Sequence, residues 1–149
     1  MRQEVIKTLY KPLECRPDNY QGWYQLGDLM LELEHYEEAL LSYEKALDYY
    51  PQDYWAWYKK GKALESLRNY SRAVESYHQA STLKPKNYWS WYDEGCVCLE
   101  ALKEYNRAIA CFERTLKVCP GDYWSYYRMG EAWRYLEAHE KAITCYDQA

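Results

Sequence analysis

The residues of this chain that could do metal or covalent chemistry are its six cysteines and three histidines. A zinc site needs close ligand pairs, such as two cysteines separated by two residues, with further ligands at a defined spacing. The closest cysteines, Cys96 and Cys98, do not have this spacing, and the histidines lie at no ligand spacing from them. We therefore interpret the thiols as reduced side chains that fill small positions between helices, with no metal, no cofactor and no required disulfide. Reduced thiols and the lack of an apolar export signal predict a cytoplasmic location.

Catalytic groups of other kinds are equally sparse in the sequence. There is no nucleophile–base pair and no phosphate-loop pattern, and the adjacent acids Glu37 and Glu38 fit a solvated helix face better than a catalytic pair. The net charge of −4 argues against nucleic-acid binding, which depends on a basic excess. No run of about 18 apolar residues could span a membrane. The sequence thus predicts a protein that is not an enzyme and binds neither nucleic acid nor membrane.

Aromatic residues are unusually frequent, with 19 Tyr and 7 Trp but a single Phe. Many belong to one recurring phrase, Asn/Asp-Tyr-Trp-x-Trp/Tyr-Tyr, which a glycine follows three residues later. The copies begin at Asp53, Asn87 and Asp122, with a looser one at Asn19, and their glycines at positions 27, 61, 95 and 130 lie 34, 34 and 35 residues apart. A fixed period in this range indicates stacked helical units, each too small to bury its own apolar face.

Each unit is predicted to contain two helices joined by a short turn. The opening Asn or Asp is a strong N-cap, and residues 54–67 then carry a helical stripe without proline. A break at Arg68-Asn69 precedes a second helix over residues 70–83, which ends before Pro85. Gly61 lies inside the first helix, where glycine costs about 1 kcal/mol relative to alanine. Its recurrence in every unit predicts that a neighbouring helix occupies the space beside it.

This pattern, Trp-x-x-x-Gly followed by Ala-x-x-x-Tyr/Phe-x-x-Ala and Pro, resembles the tetratricopeptide repeat over residues 20–149. The chain departs from the family at the seventh place of the repeat, usually Leu, which holds Lys60 and Glu94 in two units. The resemblance implies an all-α, right-handed superhelical solenoid of antiparallel helix pairs, whose first helices line a concave groove. Such proteins usually act as docking scaffolds for other proteins.

The resemblance also divides the chain into units. Repeats are expected over residues 20–53, 54–87, 88–122 and 123–149, the last truncated in its second helix, with residues 1–19 forming the second helix of a preceding partial repeat. The most economical interpretation is a piece of a longer array. The apolar helix faces at residues 2–16 and 139–149 would lack neighbours, which predicts head-to-tail self-association.

The third unit contains one additional residue, between Gly95 and Ala108. Two placements fit the sequence. One is a lengthened turn around Leu102-Lys103-Glu104. The other is a π-bulge within residues 96–102, since Leu102 lies seven residues after its glycine where the corresponding leucines lie six after theirs. Because π-bulges often lie at functional sites, the second placement would matter for binding.

By the family resemblance, a second stripe of the first helices points into the groove. Its predicted ligand-binding members are Tyr24, Asp28, Trp55, Tyr58, Lys62, Trp89, Tyr92, Glu100, Trp124, Tyr127 and Glu131. Trp55, Trp89 and Trp124 allow two interpretations: they are exposed in the groove, or they cover the turn of the preceding unit. The family's clamp for acidic C-terminal tails needs Lys and Asn at places that here hold residues such as Tyr24, Asp28 and Trp89. Acidic tails should therefore bind poorly.

Two classes of function remain. The first is a scaffold that binds an extended peptide or partner surface in an aromatic, mildly acidic groove, since Trp and Tyr dominate binding hot spots. A segment with basic residues and Pro or aromatic side chains fits such a groove best. The second class is an aromatic-lined site for a non-protein ligand such as a glycan.

Overall fold

The structure, a computed structural model, describes residues 20–149, so the predicted partial repeat at residues 1–19 and the cap at Asn19 lie outside it. The described residues form eight α-helices and one π-helix, with no strand among them. The α-helices are α1 (Tyr20–Glu32), α2 (Tyr36–Tyr49), α3 (Tyr54–Ser66), α4 (Tyr70–Leu83), α5 (Tyr88–Val97), α6 (Tyr105–Val118), α7 (Tyr123–Tyr135) and α8 (His139–Gln148). The all-helical prediction is confirmed for this part of the chain.

The helices pack in the order of the sequence. The closest packing joins α1 with α2, α3 with α4, α5 with α6 and α7 with α8, and each pair then packs on the next. Each unit therefore contacts its immediate neighbours and has no separate core, as expected of a solenoid.

The predicted N-caps form as expected at the three described sites. The side chains of Asp53, Asn87 and Asp122 accept hydrogen bonds from the backbone N–H groups of Trp55, Trp89 and Ser125 at 3.1, 3.3 and 3.0 Å. Two of these carboxylates also link repeats, because Tyr20 donates to Asp53 and Tyr88 donates to Asp122 at 2.7 Å. One acidic side chain thus caps a helix and fixes it to the preceding unit.

The recurrent glycines are packing glycines. A Cβ atom on Gly61 would lie 2.6 Å from the Tyr77 ring, closer than atoms can approach without displacement. The ring belongs to the second helix of the same repeat and is fully buried. The same arrangement holds for Gly27 with Tyr43, Gly95 with Phe112 and Gly130 with Tyr146, at 2.6, 2.9 and 2.7 Å. The predicted reason for these glycines is therefore confirmed.

The extra residue of the third repeat lies in a π-helix at Cys98–Leu102, which continues α5. The amide of Glu104 donates to the carbonyl oxygen of Cys98 at 2.8 Å, six residues back. The corresponding bond in the second repeat runs from Asn69 to Leu64, five residues back, at 2.9 Å. The lengthened turn is thus the wrong alternative, and the π-bulge is the correct one.

The turn that follows each first helix has the same shape in all four described repeats. Its central residue adopts a left-handed conformation although none is a glycine: Glu34, Arg68, Lys103 and Glu137 have φ values of 61°, 60°, 55° and 60°. Because the π-helix takes up the additional residue, Lys103 keeps this place in the third repeat. The insertion therefore changes the last turn of the first helix, which becomes a π-helix. The turn that connects it to the second helix is unchanged.

Candidate functional site: an aromatic groove face

The three recurrent tryptophans lie on the surface formed by the first helices. Trp55, Trp89 and Trp124 are 41%, 54% and 56% exposed. Each ring meets the preceding tyrosine edge-on, with ring centroids 4.9, 5.2 and 5.1 Å apart. Exposure of this size shows that they are not core residues.

Parallel tyrosines support these tryptophans. In three repeats the tyrosine that opens the first helix stacks on the tyrosine four residues later, one helical turn away. The pairs are Tyr54–Tyr58, Tyr88–Tyr92 and Tyr123–Tyr127, with centroids 6.1, 5.3 and 6.2 Å apart. The first turn of each of these helices therefore presents a Tyr-Trp-Tyr group whose side chains limit one another's movement.

Two of the tryptophans face the same space, a cleft of about 600 Å³ that we call the groove cleft. Its lining residues are Tyr88, Trp89, Tyr92, Cys119, Asp122, Trp124 and Arg128. The structure thus brings together Trp89, Tyr92 and Trp124 of the predicted site. Trp55 and Tyr58 lie one repeat away, and Tyr127 lies beside Trp124 at 6.3 Å between ring centroids.

The charged groups of the predicted stripe are paired between repeats. Lys59 donates to Asp28 at 2.7 Å, and Lys62 lies 3.1 Å from Asp93. Asp93 also accepts a hydrogen bond from Tyr58 at 2.5 Å. Asp28 and Lys62 are therefore partly neutralised within the protein, and neither is a free charge.

The site residues predicted from the sequence do not include Lys59, Asp93 and Arg128. They occupy one place in successive repeats, and each pairs with the preceding repeat. A signal was available, since Asp28 and Lys59 are 31 residues apart, as are Lys62 and Asp93, with the signs exchanged. Such complementary charges at a fixed separation indicate contacts between repeats.

The acidic members Glu100 and Glu131 belong to a different part of the surface. Arg128 pairs with Glu100 and lies 3.5 Å from Glu131. Glu100 is in the π-helix and lines two clefts, of about 510 and 340 Å³, one on either side of it. The second of these also contains Arg128, which lines the groove cleft as well. The predicted site therefore consists of an aromatic part and a polar part, with Arg128 between them.

The faces of the three exposed tryptophans carry no cation from the described part of the chain. Other tryptophans do: Lys60 lies 4.9 Å from Trp57, Arg114 lies 5.7 Å from Trp91, and Lys141 lies 4.4 Å from Trp133. Seating a cation over an aromatic ring contributes about 0.5–2 kcal/mol. Among the exposed tryptophans of residues 20–149, Trp55, Trp89 and Trp124 are thus without a cation from the described residues.

The buried cysteines are packing residues in this structure. Burial raises the pKa of both the Cys96 and the Cys98 thiol to about 12, and it also raises the pKa of Cys111 and Cys145. Such thiols stay protonated near neutral pH and are poor nucleophiles. Among residues 20–149, no group of His, Cys, Asp and Glu side chains has the arrangement of a metal site. No helix of that range is long and apolar enough to cross a membrane.

Glu94 is the most unusual titratable group near the site. It occupies the place that is usually Leu, is 1% exposed, and its Oε2 atom has no hydrogen-bond partner among the described residues. Its Oε1 atom accepts from Arg107 at 3.1 Å and lies 3.4 Å from His78. Burial raises the pKa of Glu94, and the charges of His78 and Arg107 oppose that rise. The carboxylate therefore destabilises the third repeat when it is ionised.

Replacing Glu94 by Met, the residue at this place in the fourth repeat, should stabilise the protein by about 1 kcal/mol or more at pH 8. In the unfolded chain a Glu titrates near pH 4.3, and the folded-state pKa is higher. The cost of ionisation is thus absent below the unfolded pKa and increases as pH rises through the folded pKa. Thermal unfolding of the two proteins at pH 5 and pH 8 should show a larger difference at pH 8. A larger difference at pH 5 would contradict the prediction.

These observations define a class: a helical-repeat solenoid with exposed aromatic side chains on its first helices. Residues 17–88 match the family model described as the tetratricopeptide repeat. The resemblance to the tetratricopeptide repeat family is thus confirmed, by the family model over residues 17–88 and by the fold over the rest of the described residues. Proteins of this family are generally non-enzymatic scaffolds for protein–protein interaction.

Solved structures with this fold cover most of the chain. A crystal structure of MamA matches 96% of this chain and 83% of its own, with 22% identity and a TM-score of 0.87. MamA 41-end from Desulfovibrio magneticus RS-1 matches 88% of this chain and 73% of its own, with 27% identity and a TM-score of 0.80. YrrB, described as a TPR protein with an unusual peptide-binding site, matches 98% and 75%, with 23% identity and a TM-score of 0.82. No curated protein matches the sequence.

Proposed function

We propose that this protein is a docking scaffold that binds an extended protein segment across the groove cleft. The observation that carries the proposal is that Trp89 and Trp124, both more than half exposed, line one cleft of about 600 Å³. Exposed aromatic surfaces of this kind are typical of contact sites, and Trp is enriched among binding hot spots. The similar fold of YrrB, which has a peptide-binding site, supports a peptide as the ligand class.

The chemistry of the cleft favours a segment with basic residues beside Pro or aromatic side chains. The open ring faces of Trp89 and Trp124 can each seat a cation or a flat apolar group. Glu131 and Glu100 lie at the adjoining polar cleft. Both contact Arg128, but the Glu100 side chain is 58% exposed, so it could also meet a second basic residue of the segment. The contact would extend along the first two repeats through Tyr24, Asp28, Trp55, Tyr58 and Lys62. Further aromatic surface beside the cleft would come from Tyr92 and Tyr127.

A glycan, the alternative ligand, fits this cleft less well. Sugar hydroxyls need free polar partners, but Asp122 already accepts from Tyr88 and from the Ser125 hydroxyl at 2.7 and 2.5 Å. Arg128 is likewise paired with Glu100. Asp122 and one nitrogen of Arg128 are therefore engaged, whereas the aromatic faces of the cleft carry no cation from the described residues. This difference favours a peptide.

Replacing Trp124 by Ala should weaken binding of a peptide such as Arg-Pro-Pro-Tyr-Arg-Pro by about tenfold, or about 1.4 kcal/mol. Tryptophan fluorescence and calorimetric titration would measure the affinity. The control variant is Tyr49→Ala, since Tyr49 is 42% exposed at the end of α2, outside the groove stripe. Equal losses for the two variants, or tighter binding of the same peptide with Glu in place of Arg, would contradict the proposal. Tighter binding of a neutral oligosaccharide would favour the glycan alternative.

Association of copies through residues 2–16 and 139–149 stays a prediction, because residues 2–16 lie outside the described residues.

A further inference from the structure

A second apolar cleft lies on the other side of Trp89, and we call it the edge cleft. It has a volume of about 650 Å³ and lies between the loop before α5, the first turn of α5 and the end of α6. Its lining residues are Lys84, Pro85, Lys86, Asn87, Tyr88, Trp89 and Val118. Tyr88 and Trp89 are shared with the groove cleft, so the exposed Trp89 ring separates the two spaces.

The walls of the edge cleft are apolar while its charged groups are basic. Pro85, Trp89 and Val118 supply apolar surface, and none of the described acidic residues lines the cleft. Lys84 and Lys86 are both exposed, and neither is in ion-pair contact with a carboxylate within residues 20–149. Lys84 lies 6.0 Å from the ring of Tyr54, a contact that leaves its charge accessible to a ligand.

The helix ends around the cleft do not cancel this charge. The carboxyl ends of α4 and α6 each contribute a partial negative charge of about half an elementary unit, and the amino end of α5 contributes a similar positive one. Two full lysine charges exceed that sum. The edge cleft is therefore an apolar site with a positive border, whereas the groove cleft has open tryptophan faces and an adjoining acidic part.

We propose that the edge cleft is a second docking site, and that it binds a bulky apolar side chain flanked by acidic residues in a partner protein. The apolar side chain would occupy the space between Pro85, Trp89 and Val118. Neighbouring carboxylates would then meet Lys84 and Lys86. Charge complementarity selects this partner, since a segment rich in Lys or Arg would be repelled at the same place.

The site stands apart from the groove proposal because its lysines and Val118 do not line the groove cleft. The two sites also favour partners of opposite charge. A protein that used both would present an acidic-apolar segment and a basic-aromatic segment on either side of Trp89.

The test uses the acetylated, amidated peptide Asp-Glu-Leu-Phe-Asp-Glu, followed by tryptophan fluorescence because the peptide contains no Trp. The variant Lys84→Glu/Lys86→Glu should weaken its binding by about tenfold or more. The control Lys45→Glu/Arg68→Glu makes the same change in net charge at two other exposed residues and should have little effect. Raising the salt concentration should also weaken binding to the unchanged protein, since exposed charges are screened.

Trp124→Ala separates this proposal from the groove proposal, since Trp124 lines the groove cleft and does not line the edge cleft. The variant should leave the affinity for the acidic peptide unchanged and lower the affinity for the basic, proline-containing peptide. The edge site would be overturned if the control charge reversal weakened the acidic peptide equally, or if Lys-Lys-Leu-Phe-Lys-Lys bound as tightly. It would also be overturned if Trp124→Ala lowered the affinity for the acidic peptide as much as Lys84→Glu/Lys86→Glu does. None of these outcomes depends on the basic peptide binding in the groove.

Discussion

Adding a single methyl group at Gly61 should destabilise the protein by about 2 kcal/mol. The new Cβ would lie 2.6 and 2.7 Å from two atoms of the Tyr77 ring, which is fully buried. The ring is also held at its far end, because its hydroxyl donates to Glu65 at 2.6 Å. Alanine gains about 1 kcal/mol in helix propensity over glycine, but this gain is smaller than the expected cost of displacing the ring.

Thermal unfolding measures this effect, and the matched control is Gly121→Ala. A Cβ on Gly121 would have no atom within 4 Å, so that change should leave the melting temperature nearly unaltered. For a domain of this size a loss of 2 kcal/mol corresponds to roughly 4–8 °C. Combining Gly61→Ala with Tyr77→Leu should cost less than the sum of the two single changes, since the smaller side chain removes the clash. Additive costs, or equal effects at Gly61 and Gly121, would show that the space beside Gly61 is not what requires glycine.

Replacing Trp89 by Ala should have the largest effect on binding, because its ring lines both the groove cleft and the edge cleft. We expect the basic, proline-containing peptide and the acidic peptide each to lose more than tenfold in affinity, about 1.4 kcal/mol or more. Trp124→Ala should affect the first peptide only. The fold should persist, since Trp89 is 54% exposed.

Trp91→Ala is the contrasting variant for this measurement. The indole of Trp91 donates to the carbonyl oxygen of Pro85 at 2.9 Å, and Arg114 lies 5.7 Å from its ring. This tryptophan holds the repeat against the preceding loop, so its loss should lower the melting temperature. If Trp89→Ala lowered the melting temperature as much as Trp91→Ala, Trp89 would be a structural residue and both docking proposals would lose their central contact.

Much of the fold was predictable from the sequence because its determinants are local. The second helix of the second repeat was expected at residues 70–83 and is found at Tyr70–Leu83. An N-cap needs only a suitable side chain two or three residues before the amide it accepts from, and Asp53, Asn87 and Asp122 meet that requirement. The glycine period predicted close packing since a costly residue recurred at one place in every unit.

The arrangement of the site was less predictable. For the three tryptophans the sequence left two interpretations open, exposure in the groove or covering of the preceding turn. It also could not show that Trp89 and Trp124 share a cleft or that a second cleft lies behind Trp89. The π-helix was one of two alternatives, because the number of residues between Gly95 and Ala108 does not say where the additional residue is accommodated. The structure decides it through one bond, from Glu104 to Cys98, which preserves the turn at Lys103.

The sequence by itself therefore determined the repeat, its helices, their caps and the stripe that carries the aromatic residues, since each depends on side chains within a few residues of one another. Only the tertiary structure decided which charges are paired and which polar groups are buried. Two ion pairs form across repeat boundaries, between Asp28 and Lys59 and between Lys62 and Asp93. Glu94 is buried against Arg107 from another helix. Burial and charge pairing depend on groups distant in the chain, whose distances are fixed only when the helices pack.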